Sequence, residues 1–284
     1  MKKTVLFVGI LGMLAIASCT GDLANSSQTS FQSKSAAIGS QIAINQPFNY
    51  QDYAEILQIY VDDRGLVDYA NLQANREQLD RFNKSLGEVT PQTYNSWNEA
   101  EKIAFLSNAY NAFTLQSIID QQPLKKSIRD IRGVWNKRKF NLVGEEKTLD
   151  NIEHDILRQD FNEPRIHVAL VCAAMSCPPL RNEPYLAEKL DAQLEDQTAK
   201  FARSTHGFRL DSQDNRVYLS SIFKWYGQDF IETYGVDNKF NGNKQQRAVL
   251  NYLSSKLRPQ DVRFLEQSDY KVKYLDYDWS LNKQ

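Results

Sequence analysis

Three things are scarce in this chain of 284 residues. Charge of one sign is lacking: 34 basic against 35 acidic side chains leave a formal charge of -1. That balance gives no electrostatic reason to expect nucleic acid or an anionic membrane surface as a partner. Long hydrophobic runs are lacking too. The apolar stretch from Val5 to Ile16 is too short to span a bilayer and stay there. Cysteine is rare, with three copies, so each one must be accounted for singly. No internal repeat divides the chain.

What is there is an ordinary globular composition, with 42% hydrophobic and 24% charged residues, and 14 Tyr and 14 Phe to fill a large core. Lys2 and Lys3 ahead of the Val5–Ile16 run read as a secretory signal peptide. Its end, Ile16-Ala17-Ser18-Cys19, matches the bacterial lipoprotein box, in which the cysteine is lipidated. The alternative is an ordinary cleaved signal with an incidental cysteine. Residues 1–19 are therefore expected to be a signal peptide ending in lipidated Cys19, placing the protein in the bacterial cell envelope on an N-terminal lipid anchor. Residues 20–47, rich in Ser, Gln and Asn, read as a flexible tether. Residues 48–284 are expected to be a single domain. Helical and hairpin patterns mix there without regular βαβ alternation, which indicates α+β, with a buried central helix and a small antiparallel sheet.

Two segments carry the chemical signal. The first is Trp97–Asp120, apolar almost all round and so predicted to be a buried helix. It carries Asn108 and Asn111 with Glu101 two turns earlier, a polar stripe aimed inward. A buried amide without partners costs about 1–3 kcal/mol, so both asparagines need them. The bland reading is that they tie down neighbouring loops.

The second segment is Arg165–Leu180. Ile166, Val168 and Leu170 alternate with His167, Ala169 and Val171, predicting a strand with His167 on the opposite face from the large aliphatics. Pro178-Pro179 then suits a first helical turn, with a helical pattern through Leu186, Leu190, Leu194 and Phe201. Cys177 would sit at that turn, where the helix dipole favours a thiolate. Cys172 falls on the aliphatic face and reads as core. Asp150 with Glu153 fits a helix cap, His154 reads as exposed and structural, and His206 reads as a loop residue.

These blocks resemble the family catalogued as domain of unknown function 547. The resemblance rests on Tyr60-Val61-Asp62 with Gly65-Leu66-Val67-Asp68-Tyr69, and on Asn108-Ala109-Tyr110-Asn111-Ala112. It continues in Leu149-Asp150-Asn151-Ile152-Glu153, His167-Val168-Ala169-Leu170, Ser176-Cys177-Pro178-Pro179-Leu180 and Tyr277-Asp278-Trp279-Ser280-Leu281-Asn282. It spans about Phe48 to Asn282. Leu106-Ser107 and Val171 depart from the family pattern. The resemblance implies a fold distantly similar to papain-like thiol enzymes, although there the cysteine precedes the histidine.

Three readings of the cysteines stand open. In the first, Cys177 is a nucleophile, His167 its base, and Glu101, Asn108 or Asn111 orients the imidazole; such a site acts on amide, isopeptide or thioester carbonyls. Backbone N–H groups at the turn around Cys177 and the following helix would form the oxyanion hole. In the second, Cys172 and Cys177 form a structural disulfide in a lipid-anchored binding or scaffold domain. In the third, His167, Cys172 and Cys177 hold zinc, for which a fourth ligand is missing. No cofactor is expected, and the substrate would be a small molecule or peptide.

Overall fold

A computed structural model of the protein describes residues 47–284. The signal peptide, Cys19 and residues 20–46 of the tether lie outside the described residues. Helix α1 (Gln51–Tyr60) and the short α2 (Tyr69–Ala74) flank a turn at Asp62–Gly65. Asp62 Oδ1 fixes that turn by accepting from the N–H groups of Arg64 and Leu66, each at 2.9 Å. The apolar positions Leu72, Leu79 and Phe82, whose spacing reads as one helix, fall on two: α2 ends at Ala74 and α3 (Glu77–Glu88) follows.

Helix α4 (Glu99–Ile119) is the axis of the molecule, and every residue from Ile103 to Ile119 is buried. Its start is set by a capping box: Asn98 accepts from the Glu101 N–H, and the Glu101 carboxylate accepts from the Asn98 N–H at 2.8 Å. Around it packs a large core drawn from α1, α2, α3 and the segments up to Leu194. Phe113 stacks on Phe140 with ring centroids 4.3 Å apart. Strands β1 (Phe140–Leu142) and β2 (Glu145–Lys147) form a hairpin. Its turn at Gly144 needs glycine, with φ +76°.

A second core gathers Val168 with the C-terminal elements. Helix α5 (Leu190–Arg203) leads to the hairpin of β3 (Phe208–Asp211) and β4 (Arg216–Leu219). Strand β5 (Lys271–Tyr274) joins β4 in parallel, so this sheet is mixed where an antiparallel one was expected. Helix α6 (Ser221–Tyr226), capped by Ser220 as its sequence suggests, runs through a 3₁₀ turn at Gly227–Phe230. Helices α7 (Lys244–Ser254) and α8 (Pro259–Gln267) complete the fold. The class is α+β, mostly helical with two small sheets. Among the described residues, no helix is long and apolar enough to cross a membrane.

Two local readings are corrected. The segment Ile166–Ala169 is a short helical turn, not a strand. A continuous apolar run is compatible with either, and here the chain leaves Pro164 already turning, with the His167 N–H bonded to the Pro164 carbonyl at 3.2 Å. Nor does a helix start at Pro178-Pro179; helical structure resumes only at Ala187. A residue before proline is pushed out of the α region, and Cys177, Pro178 and Glu183 all precede one. Cys177 therefore has no helix N-terminus behind it, and the oxyanion hole drawn from one falls with it.

Candidate functional site

The polar stripe on α4 anchors the loop that carries the cysteines. Asn111 Nδ2 donates to the Ala169 carbonyl at 3.0 Å, and its Oδ1 accepts from the Val171 N–H at 2.8 Å. Asn108 does the same for one residue, Tyr185, at 2.8 and 2.9 Å. The two amides thus grip both ends of the segment from 169 to 185, and neither bonds His167. Glu101 is spent on its capping box and lines a separate cavity beside Phe48 and Trp97. The expectation that Glu101, Asn108 or Asn111 orients the imidazole is overturned for a geometric reason. The amides of the stripe are spent on the loop backbone, and the imidazole is bonded by Asp229 instead.

His167, 3% exposed, is held by Asp229. Its Nε2 lies 2.8 Å from Asp229 Oδ2, so the nitrogen donates and the neutral ring keeps its lone pair on Nδ1. Tyr226 stacks on the imidazole with centroids 4.2 Å apart. Arg158 clamps the same carboxylate through Nε at 2.7 Å and Nη2 at 3.0 Å. Burial alone would raise the Asp229 pKa; the bonds from His167 and Arg158 override it and hold the group well below the usual carboxylate range. Sequence reasoning missed Asp229, which lies 62 residues beyond His167.

Cys172 and Cys177 are joined as a disulfide, with Cα atoms 6.2 Å apart. Cys172 is not core: it is half-buried and lines the same cavity as Cys177 and His167. The two sulfurs are distinguished by their donors. The Cys172 N–H donates to Cys177 Sγ at 3.0 Å, and the Tyr277 hydroxyl lies 3.1 Å from Cys177 Sγ and 3.2 Å from Cys172 Sγ. Burial raises the Tyr277 pKa, so the phenol stays protonated and donates.

The cavity holds about 370 Å³. Beyond His167 and the cysteines its wall includes Tyr110, Trp135, Trp225, Tyr226 and Trp279, with Asp150 and Glu153 as its acids. Glu153 comes from a π-helical turn, Asn151–Leu157, and Asp150 from the residue just before it, where an α-helix capped by Asp150 was expected. Thr148 makes the cap instead, its hydroxyl accepting from the Asn151 N–H at 3.1 Å. His154, expected to be exposed, also lines the cavity, with Nδ1 3.2 Å from Arg158 Nη1. His206 lies in a loop, as read, with Nδ1 3.1 Å from Ser176 Oγ. Among the described residues, no group of three or more His, Cys, Asp or Glu side chains is placed to hold a metal ion.

The tail of the chain pins the cysteine loop from outside. The Met175 N–H donates to the Ser280 carbonyl at 2.9 Å, the Asp278 N–H to Ser176 Oγ at 2.8 Å, and the Asn282 N–H to the Ala173 carbonyl at 3.2 Å.

Residues 94–202 match the model of the family described as "Protein of unknown function, DUF547". The match covers α4, His167 and both cysteines; the blocks around Gly65 and Tyr277 lie outside it. No curated protein and no solved structure matches the chain.

Proposed function

We propose that the chain built around this DUF547 segment is an exported thiol enzyme of the acyl-transfer or hydrolase type, acting on an amide, isopeptide or thioester bond. The observation that carries the reading is one cavity shared by Cys177 and a histidine whose other nitrogen is fixed by a half-buried carboxylate. A base ordered by a third group is the general logic of an activated nucleophile. The disulfide is the resting, oxidised form, and a dithiol supplies the two electrons and two protons that open it. His167 Nδ1 then takes the Cys177 proton, the sulfur attacks the carbonyl carbon, and the leaving group departs with that proton. The resulting thioester is resolved by water or an amine.

Cys177 is the nucleophile rather than Cys172, because the backbone N–H of Cys172 donates to its sulfur alone, while the Tyr277 hydroxyl lies within reach of both sulfurs. Hydrogen bonds to a charged form favour that form. The same reading takes the fold as a distant, permuted relative of papain-like thiol enzymes. It also takes the protein as lipid-anchored in the cell envelope through Cys19, which Cys19→Ser tests by release from the membrane.

A second reading is favoured by the disulfide itself: a lipid-anchored binding or scaffold domain stapled at Cys172–Cys177. Iodoacetamide labelling with mass spectrometry, before and after mild reduction, separates the two. The enzyme reading expects Cys177 to be labelled at neutral pH faster than Cys172 after reduction, with His167→Ala slowing it about tenfold or more. Equal, slow labelling of both thiols would sink it.

A further inference from the structure

The aromatic wall of the cavity goes beyond what a thiol mechanism needs. Tyr277 packs on Trp279 with centroids 4.5 Å apart and on Trp225 at 4.8 Å, and Trp135 stands edge-on to Trp279 at 6.1 Å. Trp225 is 45% exposed despite its size, at the open side of this cluster. Ring faces of this kind attract cations. Two rings already carry one each: Arg129 lies 5.2 Å from the Trp279 centroid and Arg158 5.1 Å from that of Tyr226.

The charges around the cavity point the same way. Glu153 is 8% exposed and lines the space, yet no lysine, arginine or histidine pairs with it among the described residues. Two phenols bond it instead: burial, then the Glu153 charge and a hydrogen bond to its carboxylate, raise the pKa of both Tyr110 and Tyr226. Asp150 adds a second negative charge, with His154 3.9 Å away as its nearest titratable partner. Arg158, whose own pKa is raised in part by the Glu153 charge, is committed by two bonds to Asp229 and cancels that charge instead. A buried carboxylate without a counter-ion is costly. A ligand that brings a positive charge repays the cost, and one that brings a negative charge compounds it.

We infer that the cavity recognises an alkylammonium group, seated against Trp225 and Tyr277 with Glu153 as its counter-ion. As a substrate class, an ammonium-bearing amide or acyl acceptor, this rests on the acyl-transfer reading above; as a binding site it does not. A primary ammonium from a lysine-like side chain and a quaternary ammonium share the chemistry, and the test separates them.

The test is calorimetric titration of the full folded chain, disulfide intact, with two cations and their neutral isosteres: N-acetyl-lysine amide against N-acetyl-norleucine amide, and choline against 3,3-dimethylbutanol. At least one cation should bind about tenfold or more tighter than its isostere, and whichever does so identifies the ammonium type. Glu153→Gln should abolish the preference for charge. Trp225→Ala, at an exposed position, should weaken cation binding several-fold even if the Glu153 variant fails to fold. Equal binding of cation and isostere, or no binding by either cation, overturns the inference. Because the disulfide form is titrated, the outcome is independent of the labelling experiment. Ammonium binding with unreactive thiols leaves this site standing and removes the enzyme reading, and the reverse result does the opposite.

Discussion

At the scale of single residues, the pair that matters is His167 and Asp229. The Asp229 pKa is depressed in the folded state, so its contribution to stability has a definite sign. It is fully present above the usual carboxylate range and is lost as pH falls through that range toward the depressed folded value. Asp229→Asn should therefore flatten this part of the stability profile on the acid side of neutrality, measured as denaturant midpoints at a series of pH values. An unchanged acid limb would mean that Asp229 is not the group responsible. His167 and Cys177 could be picked out by residue type and neighbours, but the place of Cys172 at the cavity could not. Nor could the carboxylate, because its only sequence signal is an aspartate in a 3₁₀ turn, and nothing local marks it as facing His167.

At the scale of elements, α4 was the most legible part of the chain. An apolar circumference leaves a helix no option but the interior, and the observed Glu99–Ile119 falls within the stretch the pattern marks. What the pattern could not say is where its amides point. Asn111 satisfies two backbone groups immediately before Cys172, so Asn111→Ala orphans both at once. The expected cost is about 1–3 kcal/mol by equilibrium unfolding. In the reduced protein it should also lower the rate of Cys177 alkylation, since the loop loses its inner anchor. The helix-or-strand error at Ile166–Ala169 has a plain cause: four buried residues in a row carry no periodicity. The proline error has another, since Pro178-Pro179 was weighed as a helix start and not as a constraint on the residue ahead of each ring.

At the scale of the whole molecule, the α1–α2 turn, the cysteine loop and the tail interlock. Asn282 Nδ2 donates to the Gly65 carbonyl at 3.2 Å, and its Oδ1 accepts from the Tyr69 hydroxyl at 2.7 Å. Gly65 has φ +78°, and a Cβ there would lie 2.5 Å from the Leu180 backbone nitrogen. Gly65→Ala combines a left-handed alanine with a backbone clash and should cost at least about 2 kcal/mol, read as a lowered denaturant midpoint. The motif blocks at Gly65 and at Tyr277–Asn282 were legible as motifs, but their meeting was not: some 217 residues separate Gly65 from Asn282.

That interlock has a temporal side. Synthesis delivers the chain from its N-terminus, so α4 and the cysteine loop emerge well before the tail that braces them. Cys177 must wait 100 residues for the Tyr277 hydroxyl. During the interval the inner amides of Asn108 and Asn111 are available but the outer brace is not, and the two thiols are freer to move than they will be again. The tail's brace on the disulfide loop is thus among the last contacts the chain can complete.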